Sequence, residues 1–193
     1  MEAIDLTKED WDDILKVFLG TLLNKAGMVS TLSRDIIFSS NNYTGLDIKH
    51  PYFLQQILHI QIIMNSETAD KHTKQLIRAA WEECRWECGT PGYLTECPME
   101  IIQGTTNSWT KNTVLFMKKY NIALEDNLPK LINQRKGDKF IMLMFREMSD
   151  NIRQLKELNL CRQFLEVVTV ADITLVNGKE LGEWAWKGAN NHK

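Results

Sequence analysis

Apolar residues recur at three- and four-residue steps along most of this chain, which is the pattern of helices that bury one face. The first such stretch predicts a helix over residues 8–26, with Thr7 as its cap and Gly27 as its end. Pro51 suits the first turn of a second helix, which reaches Met64. The apolar stripe expected in the first helix consists of Trp11, Ile14, Leu15, Phe18, Leu19 and Leu22.

Polar residues and glycines divide the middle of the chain. Ser66 is expected to cap a helix over about 67–88, and Gly89 is expected to end it. Residues 89–107 are predicted to form a loop that contains one helical turn at 98–102.

Residues 155–181 contain the elements against which the rest of the chain is expected to pack. Thr169 can cap a short turn after the first helix of this stretch, and Asn177-Gly178 is the strongest short-range signal for a two-residue β-hairpin turn. A helix therefore leads into a hairpin here. The expected apolar face of that helix is Leu155, Leu158, Cys161, Leu165 and Val168. The aromatic residues expected to pack on the hairpin are Trp184 and Trp186.

These patterns predict a mainly α protein of six to eight helices around one core, with a small C-terminal β-hairpin. A further helix is expected over 109–120, and a short strand near Ile36 is expected beside the hairpin. One domain over 1–193 is the simplest organisation, because no long linker and no repeat marks a boundary. The alternative is a division into an N-terminal helical region, 1–90, and a C-terminal helical region, 106–193, that carries the hairpin.

The composition is that of a globular protein, with 44% hydrophobic and 25% charged residues. A formal net charge of −2 argues against a protein that grips phosphates over a wide surface, although a local basic patch is compatible with it. The longest apolar run, 53–64, is interrupted by polar residues, and the N-terminus resembles no signal peptide. We therefore expect an intracellular protein, cytoplasmic or nuclear, without a membrane partner and with reduced cysteines.

Cysteine is the residue type with the clearest chemical potential. Cys84 and Cys88 lie four residues apart on one predicted helix and Cys97 follows, a spacing at which thiolates could meet a zinc ion. A fourth ligand is missing unless His72 or Cys161 folds over them, so buried reduced cysteine is the better interpretation. The histidines lie in no nucleophile signature, and no glycine-rich phosphate loop is present. The sequence predicts no catalytic residue, no metal and no cofactor.

The most basic window is residues 130–139, where Arg135 and Lys136 are expected at a turn. Exposed basic turns can contact phosphate groups through charge alone. The candidate nucleic-acid-binding residues, chosen from this window and from other basic positions, are Arg34, Lys118, Lys119, Arg135, Lys136 and Lys139.

Several motifs carry a resemblance through their order along the chain. The N-terminal ones are residues 14–27, Ser33-Arg-Asp-Ile-Ile-Phe, Thr44-Gly-Leu-Asp-Ile and Gln55-Gln-Ile. The later ones are Trp109, Tyr120-Asn-Ile, Asp138-Lys-Phe-Ile-Met, residues 158–167, Thr169-Val-Ala-Asp-Ile and Asn177-Gly178. Over roughly 14–186 the chain resembles the segment downstream of the polymerase palm in eukaryotic retroelement proteins that contain a reverse transcriptase.

The resemblance implies a thumb-like region that helps to hold template and product and takes no part in the polymerase chemistry. The carboxylate pair that binds catalytic magnesium in such polymerases is not found, since Asp12-Asp13 lies in a helical start. The first hypothesis is a non-enzymatic accessory module that contacts the backbone of an RNA–DNA hybrid or duplex weakly and without sequence specificity. The alternative is a helical protein-interaction module that docks on a partner polypeptide, such as the polymerase domain. The methionine-rich run 142–145 supports this alternative.

Overall fold

The computed structural model describes residues 5–106, 108–125, 130–149 and 151–183. These residues form eight α-helices joined by turns and short 3₁₀ segments, which confirms the predicted mainly helical class. The chain divides into two compact units, Met1–Glu67 and Thr68–Lys193, at a boundary earlier than the division between 1–90 and 106–193. None of the described helices is both long enough and apolar enough to cross a lipid bilayer.

The N-terminal unit contains the helices α1 (Lys8–Lys25), α2 (Arg34–Phe38) and α3 (Pro51–Met64). The predicted cap of α1 is confirmed, because Thr7 Oγ1 accepts a hydrogen bond from the Asp10 N–H and the Asp10 carboxylate accepts one from the Thr7 N–H. Gly27 follows the last turn with a left-handed backbone (φ 73°), as expected for a helix end. The bounds of α1 therefore follow from local chemistry.

The buried side of α1 differs in part from the predicted stripe. Its core residues, which pack with Ile37 of α2, are Leu15, Leu19 and Leu23. Three members of the predicted stripe are more than a third exposed, and these are Ile14, Phe18 and Leu22. The α1 helix is apolar over more than one face, so periodicity alone could not say which face would be covered.

Helix α2 stands where a strand was expected near Ile36, so that prediction was wrong. Ser33 Oγ accepts a hydrogen bond from the Asp35 N–H, which starts a helical turn. The β-branched pair Ile36–Ile37 is too short to form a strand without a partner strand, and the cap decides the local conformation.

A polar contact joins the helices of this unit. The Asp12 carboxylate on α1 accepts a hydrogen bond from Arg34 Nη1 (3.0 Å) and lies 2.7 Å from Lys8 Nζ. His50 Nδ1 accepts from the Tyr52 N–H, so the ring proton is on Nε2, 3.2 Å from the Asp12 carboxylate. The hydrogen bonds from Lys8 and His50 hold the pKa of Asp12 below its ordinary value. Asp12 is thus charged and holds the start of α2 and the cap of α3.

The C-terminal unit contains the other five helices. They are α4 (Lys71–Cys88), α5 (Met99–Gln103), α6 (Trp109–Lys119), α7 (Ile141–Met148) and α8 (Ile152–Phe164). The cap of α4 is Asp70 and not the predicted Ser66, because Asp70 Oδ1 accepts from the N–H groups of His72 and Thr73 at 3.0 and 3.1 Å. Gly89 ends α4 in a left-handed conformation (φ 56°), as predicted.

The short helix α5 lies at the centre of this unit. It packs against α6, α7 and α8, and its residues Ile101 and Ile102 are fully buried. The sequence predicts this segment only as a helical turn within a loop. Its central position shows that a five-residue helix can be the core of a unit when longer helices surround it.

The buried face of α8 is polar where an apolar face was predicted. Leu155 is buried as expected, but Cys161 and Leu165 are exposed. Asn159 and Arg162 take the buried positions, with relative exposures of 1% and 2%. A buried arginine is rare unless its donors are satisfied, so the contacts of Arg162 decide this face.

Arg162 binds backbone groups at the end of α4. Its Nη2 donates to the carbonyl oxygens of Trp86 (2.6 Å) and Glu87 (3.0 Å), which lie in the last turn of α4 and lack helical partners. Its Nη1 donates to the Val167 carbonyl (2.9 Å), and its Nε to Asn159 Oδ1 (3.0 Å). The guanidinium therefore caps α4 and fixes the segment that follows α8.

The predicted C-terminal β-hairpin is not present as strands among the described residues. A single isolated bridge joins Thr174 and Leu181, and the Gly178 N–H donates to the Leu175 carbonyl to close a β-turn. Asn177 Oδ1 accepts from the N–H groups that follow the turn, so its side chain stabilises the turn itself. The expected packing of Trp184 and Trp186 on a hairpin lies outside the described residues.

Candidate functional site

In the C-terminal unit, two carboxylates, Asp138 and Asp172, hold the basic window 130–139 against the segment that follows α8. We call this group of contacts the polar platform. The Asp138 carboxylate, 8% exposed, accepts hydrogen bonds from the backbone N–H groups of Lys139 (2.9 Å) and Ala171 (2.9 Å). It also accepts one from the N–H of Gln134 (3.3 Å). The two segments pair further through the isolated bridge between Phe140 and Thr169.

The charge of Asp138 is stabilised by these contacts. Desolvation raises the pKa of Asp138, but the hydrogen bonds from Thr169, Ala171, Lys139 and Gln134 outweigh it and leave the pKa below its ordinary value. A charged carboxylate therefore lies beneath the basic residues of this surface and joins two segments that are far apart in sequence.

A second carboxylate completes the platform. Asp172 Oδ2 accepts from the N–H groups of Val168 (2.8 Å) and Thr169 (2.7 Å), as the Thr-x-x-Asp motif predicts for a capped turn. Its other oxygen accepts from the Gln134 side chain. Arg135 donates to the Leu175 carbonyl (2.8 Å) and to the Thr174 hydroxyl, so its guanidinium is engaged by the C-terminal turn.

A pocket of about 370 Å³ lies on this platform. Three of the six predicted binding residues line it, namely Arg135, Lys136 and Lys139, together with Asn177 and Gly178 of the turn. Lys136 and Lys139 are exposed and form no ion pair with any residue that the structure describes. The structure therefore brings half of the predicted set to one place, around a pocket that Asp138 also lines.

The other three predicted residues lie elsewhere. Arg34 belongs to the N-terminal unit and is paired with Asp12. Lys118 Nζ donates to the Thr95 carbonyl (2.9 Å), whereas Lys119 is exposed at the end of α6 near the Tyr120 ring. None of these three lines the pocket of the platform.

The second unusual surface is the outer face of α3, which the sequence pattern did not single out. The side chains that α3 buries are Gln56, His59 and Ile63. Desolvation lowers the pKa of His59, which favours the neutral ring in this position. The opposite face exposes five large apolar side chains at relative exposures between 44% and 63%, and these are Leu54, Ile57, Leu58, Ile62 and Met64.

This arrangement inverts the usual order of a helix at a protein surface, in which the polar face meets water. The five side chains leave on the order of 500 Å² of apolar surface exposed, a size at which surface patches often mark interaction sites. The α3 helix carries no Asp, Glu, Lys or Arg at all. In the sequence, α3 is strongly apolar but its apolar residues are not concentrated on one face. This combination is the signal from which an exposed apolar surface on α3 could have been predicted.

The methionine-rich run 142–145 is not a second exposed apolar surface. Met142 is 1% exposed and belongs to the core, while Leu143 and Met144 are half-buried and line a pocket of about 550 Å³. The support that this run lends to a docking surface is therefore lost, and the exposed apolar face lies on α3.

Comparisons with protein-family models, with curated proteins and with solved structures found no match to this chain. The resemblance to retroelement proteins therefore stays a prediction. Among the described residues, no group of three or more histidine, cysteine or carboxylate side chains has an arrangement suited to a metal ion.

Proposed function

We propose that this protein is a helical interaction module that docks on a partner polypeptide through the outer face of α3. The observation that supports this proposal is the arrangement of α3, which buries the polar residues Gln56 and His59 while five of its large apolar side chains are exposed around Gln61. Removal of an apolar face of this size from water by a partner is favourable, at roughly 25 cal/mol per Å².

The chemistry of the face indicates the kind of partner. Because α3 has no charged side chain, an anionic membrane or a nucleic acid would gain no ion pairs there. An apolar groove or helix of another polypeptide matches the face instead. Leu54, Leu58 and Ile62 follow one another at four-residue steps, which is the spacing of anchors on a helix that lies in an apolar groove.

A photoreactive amino acid at position 58 tests this docking in cells. We expect cross-links from position 58 to one polypeptide, and loss of these cross-links when Ile62 is also changed to Glu. The same photoreactive group at position 157, an exposed site on α8, is the matched control and should not capture that polypeptide.

The captured polypeptide, once purified, allows the affinity to be measured. Leu58→Glu should weaken its binding by about 30-fold or more, as expected for a central apolar anchor. Cross-links that are equal at positions 58 and 157, or a loss of affinity below about threefold, would contradict the proposal.

A second candidate function is the accessory role that the resemblance implies, in which the module contacts nucleic-acid backbone weakly and without sequence specificity. Its support is the gathering of Lys136 and Lys139 with Arg135 around one pocket, without ion-pair partners for the two lysines among the described residues. Two ammonium groups suit phosphate contacts that depend on charge and not on base identity.

This candidate predicts binding of the whole chain to a fluorescent RNA–DNA hybrid that weakens linearly in the logarithm of salt concentration. Replacing Lys136 and Lys139 with Gln should reduce the salt slope by about two, since each phosphate contact contributes about one. The matched control replaces Lys16 and Lys25, two exposed lysines of α1, and changes the net charge equally. If replacing Lys16 and Lys25 lowers the salt slope as much as replacing Lys136 and Lys139, the binding depends only on net charge and not on this pocket. An absence of binding at low salt would contradict this candidate function.

A further inference from the structure

The exposed face of α3 has the residue spacing of a short coiled-coil seam. Steps of three, four and three residues separate its four central side chains, all of which are exposed. These side chains are Leu54, Ile57, Gln61 and Met64. Side chains at such steps lie in one line along a helix, as the positions that meet a partner helix do in a coiled coil. The face therefore has the form of a surface that packs against a second helix.

Gln61 is the polar member of this line. Its neighbours along the line, Ile57 and Met64, are apolar, so a partner that covers them also covers the Gln61 amide. An amide buried against an apolar surface would lose its hydrogen bonds with water without replacement. A primary amide carries both a donor and an acceptor, so a second copy of the same amide can satisfy it. One polar residue in such a line also fixes the register of two paired helices.

The absence of charge on α3 also suits a second copy of the chain. A two-fold interface brings each residue close to the same residue of the other copy, so a charged face of one sign would repel itself. Helix α3 has no Asp, Glu, Lys or Arg, so two α3 faces can meet without such repulsion. The face is thus compatible with its own copy in polarity, in charge and in hydrogen-bonding capacity.

The area of the face is sufficient for a weak and reversible dimer. The five exposed apolar side chains present on the order of 500 Å² in each copy, so a pair would bury on the order of 1,000 Å² in total. Specific protein interfaces begin at about this size, and the small ones are mostly transient. We therefore expect a dissociation constant in the micromolar range.

We propose that the partner of this face is a second copy of the chain, bound by parallel pairing of the two α3 helices about a two-fold axis, with Gln61 opposite Gln61. This inference rests on the docking function proposed above and names its partner. An antiparallel pair aligned over the whole of Pro51–Met64 would set Gln61 opposite Leu54 and leave its amide unsatisfied. The parallel pair satisfies the amide and sets each apolar residue of the line opposite its own copy.

Sedimentation equilibrium of the whole chain between about 1 and 100 μM tests this pairing. The parent chain should pass from monomer to dimer over this range. Gln61→Glu and Gln61→Lys should each weaken the dimer by about tenfold or more, because like charges then meet across the axis. An equimolar mixture of the two variants should associate within about threefold of the parent chain, because opposite charges then meet. Gln61 is exposed, so the circular dichroism of both variants should match that of the parent chain.

Phe18→Glu is the matched control. Phe18 lies on α1 of the same unit and is 57% exposed, close to the 55% of Leu58. This change should leave the dissociation constant within about twofold, whereas Leu58→Glu should raise it by about tenfold or more. Equal weakening by both changes would show general apolar adhesion and would overturn the self-pairing. A mixture of the two Gln61 variants that associates no better than either variant alone would also overturn it.

The cross-links from position 58 separate the failure of this inference from the failure of the docking function. A purified chain that stays monomeric, while position 58 captures a different polypeptide in cells, would overturn the self-pairing and leave the docking function in place. A monomeric chain with no cross-link from position 58 would contradict both. Cross-links between two copies of the chain, together with dimer formation, are the expected result.

Discussion

Replacing Arg162 with methionine is expected to lower the free energy of unfolding of the C-terminal unit by about 3–5 kcal/mol. The guanidinium donates to the carbonyls of Trp86, Glu87 and Val167, and a mutation cannot remove these backbone acceptors. Methionine fills much of the volume but leaves the carbonyls buried without donors. Desolvation lowers the pKa of Arg162, yet arginine stays charged at neutral pH, so relief of that desolvation offsets only part of the loss.

Urea titration followed by hydrogen exchange at the amides of α4 and α8 measures this change in the unit concerned. Arg153→Met is the matched control, because Arg153 lies on the same helix with a side chain that is 89% exposed and should change stability by less than about 0.5 kcal/mol. Arg162→Lys should give an intermediate loss, since lysine keeps the charge but not the fork of donors. Equal losses for the variants at 162 and 153 would disprove the capping role of Arg162.

Replacing Asp138 with alanine is expected to lower the free energy of unfolding by about 2–4 kcal/mol, because three backbone N–H groups lose their acceptor. Asp138→Asn should lose about half as much, since one amide oxygen can still accept from Lys139 and Ala171. Asp138→Ala should also loosen the pocket that Lys136 and Lys139 line. Thermal unfolding of both variants, beside Glu157→Ala at an exposed site of α8, measures the effect.

The pH dependence of this difference has a definite sign. The folded pKa of Asp138 lies below its ordinary value, so its contribution is fully present above the unfolded pKa and is lost as pH falls through the folded pKa. The stability difference between the parent chain and Asp138→Asn should be constant from about pH 7 to about pH 5 and shrink below about pH 4. A difference that grows on acidification would show that the carboxylate is destabilising when charged.

The candidate surfaces could be predicted from the sequence only in part. The basic window 130–139 identified the lysines of the pocket because charge at a turn is exposed in most folds. The turn that faces them, Asn177-Gly178, was recognised as a turn, but its position beside Arg135 depends on contacts some forty residues apart in sequence. Lys118 was chosen by the same charge criterion, and its donation to the Thr95 carbonyl could not be read from spacing.

The sequence by itself determined where α1, α3 and α6 begin and end and where α4 ends, because residues such as Thr7, Pro51 and Gly89 act on the backbone within a few residues. The sequence also determined the mainly helical class, because that class follows from the three- and four-residue spacing of apolar residues in each segment. Only the tertiary structure decided which face each helix buries. Arg162 is stable in a buried position on α8 because the carbonyls at the end of α4 accept its hydrogen bonds, and α3 buries Gln56 and His59 while several of its large apolar side chains stay exposed. Which face of a helix is buried depends on the elements that pack against it, whereas the periodicity of the sequence predicts only that a helix forms.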